Sequence, residues 1–278
     1  MGITKRAWIN YQDTRKLKLN DPIAIVGSPG LRSVGKLVVD ALVEKSHPQL
    51  FAELFSYGFP SVYYGPSYLC APSHVGAQLA KGNVVELPSV KLYILSDNEK
   101  QAQAQSRDIV IISGYQAHDA LNHYMVAEKL TDLFAELHIK KVISLGAQVM
   151  EEGVRCCATD VELLGEMSKY GIEKTNVDRF IGFSGLVAAI GREKGIKGVC
   201  LFANTAQNPA EPEYPDFNAA KGLLEKVGEI VGLKVDISDL DERSRREQEH
   251  TEGGITRESD ESGEQERARE REDLIGYT

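Results

Sequence analysis

The chain has 278 residues, 42% of them apolar, and a formal net charge of −9, which is enough apolar material for a real core in one large or two small domains. From Asp236 onward there are 15 acidic and 7 basic residues, so nearly all of the net charge sits at the end of the chain and the body is close to neutral. A near-neutral body argues against nucleic acid as the main partner, because phosphate binding draws on a basic surface.

Met1 to Lys18 is polar and lacks an apolar stretch of the kind that opens a secretory signal. No run of about 18 apolar residues occurs, so no membrane span is expected and the predicted location is cytoplasmic. The four cysteines, Cys70, Cys156, Cys157 and Cys200, show neither C-x-x-C nor paired Cys/His spacing. They read as reduced, buried thiols, with no metal and no cofactor implied.

Trp8 to Leu19 alternates loosely and reads as an edge strand or an arm. Ile23-Ala24-Ile25-Val26 is a short apolar run that ends in Gly27-Ser28-Pro29-Gly30. Val34, Leu37, Val38, Ala41 and Leu42 then recur at helical spacing, and Ser33 is placed to cap that helix. Strand, glycine-rich turn and helix together make the first unit of an α/β sheet. Residues 61–64 and 67–70 read as two short strands around Gly65-Pro66, and Val90 to Leu95 as another strand.

Asp108 to Ile112 is almost wholly apolar, as expected of a strand covered on both faces. A helix is predicted from His118 to His138, and a strand over Val142 to Leu145 that ends at Gly146. Thr159-Asp160-Val161-Glu162 fits a capping box, with the helix closing at Gly171. A further helix follows Gly182-Phe183-Ser184-Gly185 and stops at Gly195. Val199 to Ala203 is the last buried strand, and Asp216 caps an amphipathic helix that Gly232 ends. This alternation predicts a mostly parallel sheet sandwiched by helices.

Residues 1–240 therefore read as one α/β domain, and residues 241–278 as a charged tail, disordered or partly helical. Between Asp241 and Asp273 the only aliphatic residues are Ile255 and Ala268, too few to offset chain entropy by burial.

Two stretches carry the functional reading. Gly30 to Lys36 nearly spells a phosphate loop, but Leu37 stands where the pattern needs a hydroxyl to hold magnesium. What remains is a weaker anion site at a helix N-terminus, built from Gly30, Arg32, Gly35 and Lys36. His118 and His123 fall on one predicted helix at i,i+5 and so not on one face, His47, His74 and His138 sit near predicted element ends, and no Ser/His/Asp set assembles around Ser28 or Ser184, so no motif supports catalysis. The alternative reading is a phosphate- or nucleotide-binding enzyme that uses the Gly27–Lys36 turn.

Pro22 to Gly30 followed by Val34-Gly35-Lys36 resembles the opening of the archaeal proteasome assembly chaperone family. Phe59-Pro60-Ser61-Val62, the Gly114-Tyr115-Gln116 turn, Val142 to Gly146, Gly195 to Leu201 and the segment from Asp216 to Leu240 resemble later blocks of that family. The resemblance implies an α/β sandwich that is not an enzyme, that forms a homo-oligomer (a tetramer or pentamer, as in relatives) and that binds the α subunits of the 20S proteasome. Such proteins commonly dock through a C-terminal hydrophobic-Tyr-any motif whose carboxylate pairs with a lysine. On that resemblance Leu274, Ile275, Tyr277 and Thr278 are the expected anchor. Gly276 departs from the motif by burying no side chain, and Leu274 and Ile275 restore apolar character one step earlier.

Overall fold

The four strands at the centre of the sheet run parallel, and they are the ones whose sequences are near-continuous apolar runs. The computed structural model describes residues 7–12, 17–59, 62–63, 72–74, 77–80, 83–96, 107–114, 120–150, 152–176, 182–206 and 214–253. In chain order these hold β1 Ala7–Tyr11, β2 Ile23–Gly27, a 3-10 turn Leu31–Ser33, α1 Val34–Ser46, β3 Gln49–Ser56, β4 Val62–Tyr63, β5 Pro72–His74, β6 Gln78–Ala80, β7 Val84–Glu86, β8 Ser89–Leu95 and β9 Ile109–Ser113. They continue with α2 Ala120–Glu136, β10 Lys141–Gln148, β11 Val154–Ala158, α3 Val161–Ser168, β12 Glu173–Lys174, α4 Phe183–Glu193, β13 Lys197–Asn204, α5 Phe217–Val231 and α6 Ser238–Gly253.

Nine strands form one sheet in the order β1-β3-β8-β9-β2-β10-β13-β11-β12. Pairing is parallel from β9 through β2 and β10 to β13, and antiparallel in the wing β1-β3-β8 and between β13 and β11. Helices cover both faces of the centre, which is the expected sandwich. Side-chain alternation divides the core. Ile23, Ile25, Ile109, Ile111, Ile143 and Leu145 meet α1, α3 and α5 on one face. Ala24, Val26, Val110, Ile112 and Val142 meet α2 and α4 on the other. The wing packs mainly on the second face, where Phe51, Ala52, Leu54, Val90, Leu92 and Ile94 meet the α2 side, while Tyr93 and Leu95 at the inner edge of β8 join the first.

Several local expectations change. Ser33 is left-handed (φ 53°) and makes no side-chain cap. The capping residue of α3 is Asp160, whose Oδ1 accepts from Leu163 N at 3.2 Å. Thr159 instead accepts from Gly198 N at 2.9 Å, and Glu162, one residue short of the reciprocal capping position, pairs with Lys197 at 2.8 Å. β10 does not stop at Gly146 but runs to Gln148, held by the full length of β13. The strand that pairs with β4 is Pro72–His74, further along than 67–70, and residues 64–71 lie outside the described ones. α6 crosses the boundary expected at Leu240, because Leu240 itself is buried in the α1 face of the core.

Other expectations hold. Asp216 caps α5 by accepting from Ala219 N at 2.8 Å, and Gly232 ends it in the left-handed region. His47 and His138 occupy the same left-handed position after α1 and α2, which accounts for both without a ligand.

Candidate functional site

The glycine-rich turn sits at the carboxyl ends of β2 and β9, from which the chain leaves to opposite faces of the sheet: α1 follows β2 and α2 follows β9. Open α/β sheets place ligands at such switch points. Here the glycines serve close packing. A Cβ on Gly35 would lie 2.6 Å from Leu145 O, and one on Gly27 would lie 2.1 Å from Gly35 O. Both positions must be bare for α1 to cross β2 and β10 at this range. Gly30 carries no such constraint, since its nearest neighbour would be 4.0 Å away.

The two cations expected to help an anion face internal partners. Arg32 is buried and left-handed (φ 48°). Its Nη1 lies 3.2 Å from Asp216 Oδ2, its Nε donates to Tyr214 O at 3.0 Å and its Nη2 to Pro215 O at 3.3 Å. Lys36 Nζ donates to Asp40 Oδ2 at 2.7 Å, and Ser113 Oγ donates to the other oxygen of Asp40. Asp216 is the hub that sequence reasoning saw only as a cap. One oxygen caps α5, and the other takes Arg32 and the Thr205 hydroxyl, the latter at 2.5 Å. The buried Arg32, 184 residues away from its partner, gave no signal in the sequence.

A second region lies where α6 roots the end of the chain. Leu240 is buried, Lys45 pairs with Asp239, Lys221 pairs with Asp241, and the Arg243 guanidinium sits 5.7 Å from the Phe217 ring centre. A cleft of about 70 Å³ remains between α1 and α6, with Lys36, Asp40, Lys45, Asp236 and Arg243 in its walls. The Asp239 carboxylate, as hydrogen-bond partner, raises the Lys45 pKa, and the Ser238 amide and hydroxyl lower that of Asp236. The expected anchor Leu274, Ile275, Tyr277 and Thr278 lies outside the described residues.

Cys156, Cys157 and Cys200 are free thiols. Burial pushes Cys156 up to about 11. Cys157 and Cys200 face each other across β11 and β13, and the hydrogen bond between them lowers Cys157 and raises Cys200. The Ser184 hydroxyl donates to Leu145 O at 3.0 Å, and Ser144 Oγ is buried with no partner. Among the described residues, no group of three or more His, Cys, Asp or Glu side chains is arranged to hold a metal ion, and no helix is long and apolar enough to cross a membrane.

The whole arrangement, from the β2 strand to the end of α6, matches proteins already described. Pyrococcus furiosus PbaB, an archaeal proteasome activator, superposes with a TM-score of 0.74 at 26% identity over 91% of this chain and 100% of that one. Pyrococcus furiosus PbaA, an archaeal homologue of proteasome-assembly chaperone, superposes with a TM-score of 0.64 at 17% identity over 88% of this chain and 94% of that one, a likeness of fold. MJ1210, an uncharacterized protein of Methanocaldococcus jannaschii, is 26% identical over 242 residues, 84% of each chain. The PAC2 family model matches residues 24–253, and the chain belongs to the PAC2 family.

Proposed function

We propose that this protein is a non-catalytic, cytoplasmic docking protein of the 20S proteasome, an assembly chaperone or activator, whose C-terminal Leu274, Ile275, Tyr277 and Thr278 engage the α-ring. The observation that carries this is the likeness to Pyrococcus furiosus PbaB, described as a proteasome activator, over 91% of this chain and all of that one. The sequence supports the route: after a long polar stretch the chain returns to apolar and aromatic character at Leu274-Ile275-Gly276-Tyr277-Thr278. The rooting of α6 by Leu240, Lys45 and Lys221 supports a tail that leaves the body from one fixed place. Several such tails on one homo-oligomer, a tetramer or pentamer, would act together and raise avidity without new contacts.

The test is a pull-down with 20S particles and with free α subunits, using the full chain and a chain lacking Tyr277 and Thr278. Full-length protein is expected to retain the particle, and the truncated protein to lose it with its oligomeric mass unchanged. Equal retention by both would move the contact to the globular body. A titration with ATP, ADP and phosphate is expected to be silent, whereas micromolar binding lost in Lys36→Ala would favour an enzyme built on the turn.

A further inference from the structure

The two ends of the sheet are unlike. At one end β12 is two residues long, Glu173 and Lys174, both charged, with Glu173 paired to Arg155. Short, charged edge strands resist pairing with another chain. At the other end β1 is Ala7-Trp8-Ile9-Asn10-Tyr11, five residues without a charge, and among the described residues no strand lies on its outer side.

The direction of the backbone groups along β1 is fixed by one bond. Gln12 N donates to Phe51 O of β3 at 2.8 Å, so Gln12 faces inward. Alternation then turns Asn10 and Trp8 inward as well, and leaves the N–H and C=O of Ala7, Ile9 and Tyr11 pointing out. An outward set centred on its own middle residue has a two-fold symmetric solution. A second β1 laid antiparallel brings Ile9 onto Ile9, and Ala7 onto Tyr11 at each end. Each of these three facing pairs exchanges both of its backbone bonds, as hydrogen-bonded antiparallel pairs do. Small meets large at both ends, and no like charges are opposed.

The same edge carries an aromatic cluster on the face turned away from α2. Trp8 stacks on Phe55 with ring centres 5.5 Å apart and leans on Tyr57 at 5.2 Å, and Tyr57 is 67% exposed. In the symmetric register Trp8 lies beside Asn10 of the second copy, so the two clusters flank the axis and form one strip. Exposed apolar surface at an open edge is where association is expected.

We infer that β1 is the self-association strand of this protein, pairing antiparallel with β1 of a second copy about a two-fold axis at Ile9. This deepens the homo-oligomer named above and selects among its forms: an isologous contact gives even assemblies, a dimer or a dimer of dimers, and not a pentamer.

The test is a cross-link on the full chain. Ile9→Cys puts two thiols opposite each other with Cα atoms about 5.5 Å apart, within reach of a disulfide. Asn10→Cys is two residues out of register with its own copy, about 8 Å away and beyond that reach. Under mild oxidation Ile9→Cys is expected to run at twice the chain mass on a non-reducing gel, while Asn10→Cys and the parent chain do not. Ala7→Pro removes an outward donor and leaves the inward ladder intact, so it is expected to halve the mass in light scattering with unchanged circular dichroism. A parent chain of even mass with no cross-link at residue 9 and no effect of Ala7→Pro overturns the β1 contact but leaves the oligomer standing. An odd subunit count does the same. A monomeric parent at tens of micromolar removes both the contact and the homo-oligomer, and leaves the pull-down to decide proteasome docking on its own.

Discussion

Arg32 and Asp216 are bonded twice, once through side chains at 3.2 Å and once through backbone, where Asp216 N donates to Arg32 O at 3.1 Å. The double bond ties the turn after β2 to the residue that opens α5. It also holds Arg32 and Ser33 in the left-handed region, which costs about 1–2 kcal/mol per residue for side chains other than glycine. Neither residue could hold that geometry from local sequence alone.

Removing one partner of this pair should be severe, because the other charge stays buried. Arg32→Ala is expected to cost about 3 kcal/mol in urea unfolding. Asp216→Asn should cost less than Asp216→Ala, since the amide oxygen can still cap α5, and losing the cap adds about 1 kcal/mol. A double-mutant cycle that finds no coupling between positions 32 and 216 would contradict this account.

Gly35 and Gly30 make a contrasting pair. Gly35→Ala drives a methyl to within 2.6 Å of a backbone carbonyl and is expected to lose about 2 kcal/mol of stability. Gly30→Ala meets nothing closer than 4.0 Å, so it lacks that packing penalty and should cost less than Gly35→Ala. If the turn were built for an anion, Gly30 and not Gly35 would be the sensitive position in ligand binding. Thermal melts of the two variants separate these cases.

The thiols should differ in reactivity. Cys156, pushed up to about 11 by burial, is expected to alkylate slowly at neutral pH and faster as pH rises towards that value. Cys157, lowered by its bond from Cys200, should label first of the three. Peptide mapping after a short iodoacetamide pulse reads the order directly.

Leu240→Ala is expected to lift the start of α6 from α1 and α5, because Leu240 is the buried apolar side chain there and the ion pairs beside it are partly exposed and worth little. The loss should be about 2–3 kcal/mol for the docking of this helix. It would be seen as faster tryptic cleavage at Arg243 and Arg245 with the rest of the domain intact.

Much of this fold was legible where local chemistry and tertiary role agree. The central strands are buried on both faces, so Ile109-Val110-Ile111-Ile112 could not be mistaken, and Asp216 and Gly232 bracket α5 with ordinary capping chemistry. The wings are legible only in part: Val90 to Leu95 reads as a strand and is β8, and Trp8 opens the stretch that holds β1, whereas β3 and β11 do not show in the pattern. In β3 a bulge between Leu50 and Ala52 sends Phe51 and Ala52 to the same core, which breaks the two-residue period. In β11 only Cys156 is buried, so Arg155 and Ala158 gave a weak pattern. At the turn, Arg32 read as a free cation because its partner lies at the far end of the chain.

Ser244 is still buried, yet helix α6 continues to Gly253. At 1.5 Å per residue the stretch beyond Ser244 adds about 14 Å of rod to the body. A chain that departs from a coil is defined by its length alone. One that departs from a rod has a bearing as well. Each residue of the rod turns everything after it by about 100°, so inserting one residue between Ser244 and Gly253 would swing the rest of the chain to another side of the molecule.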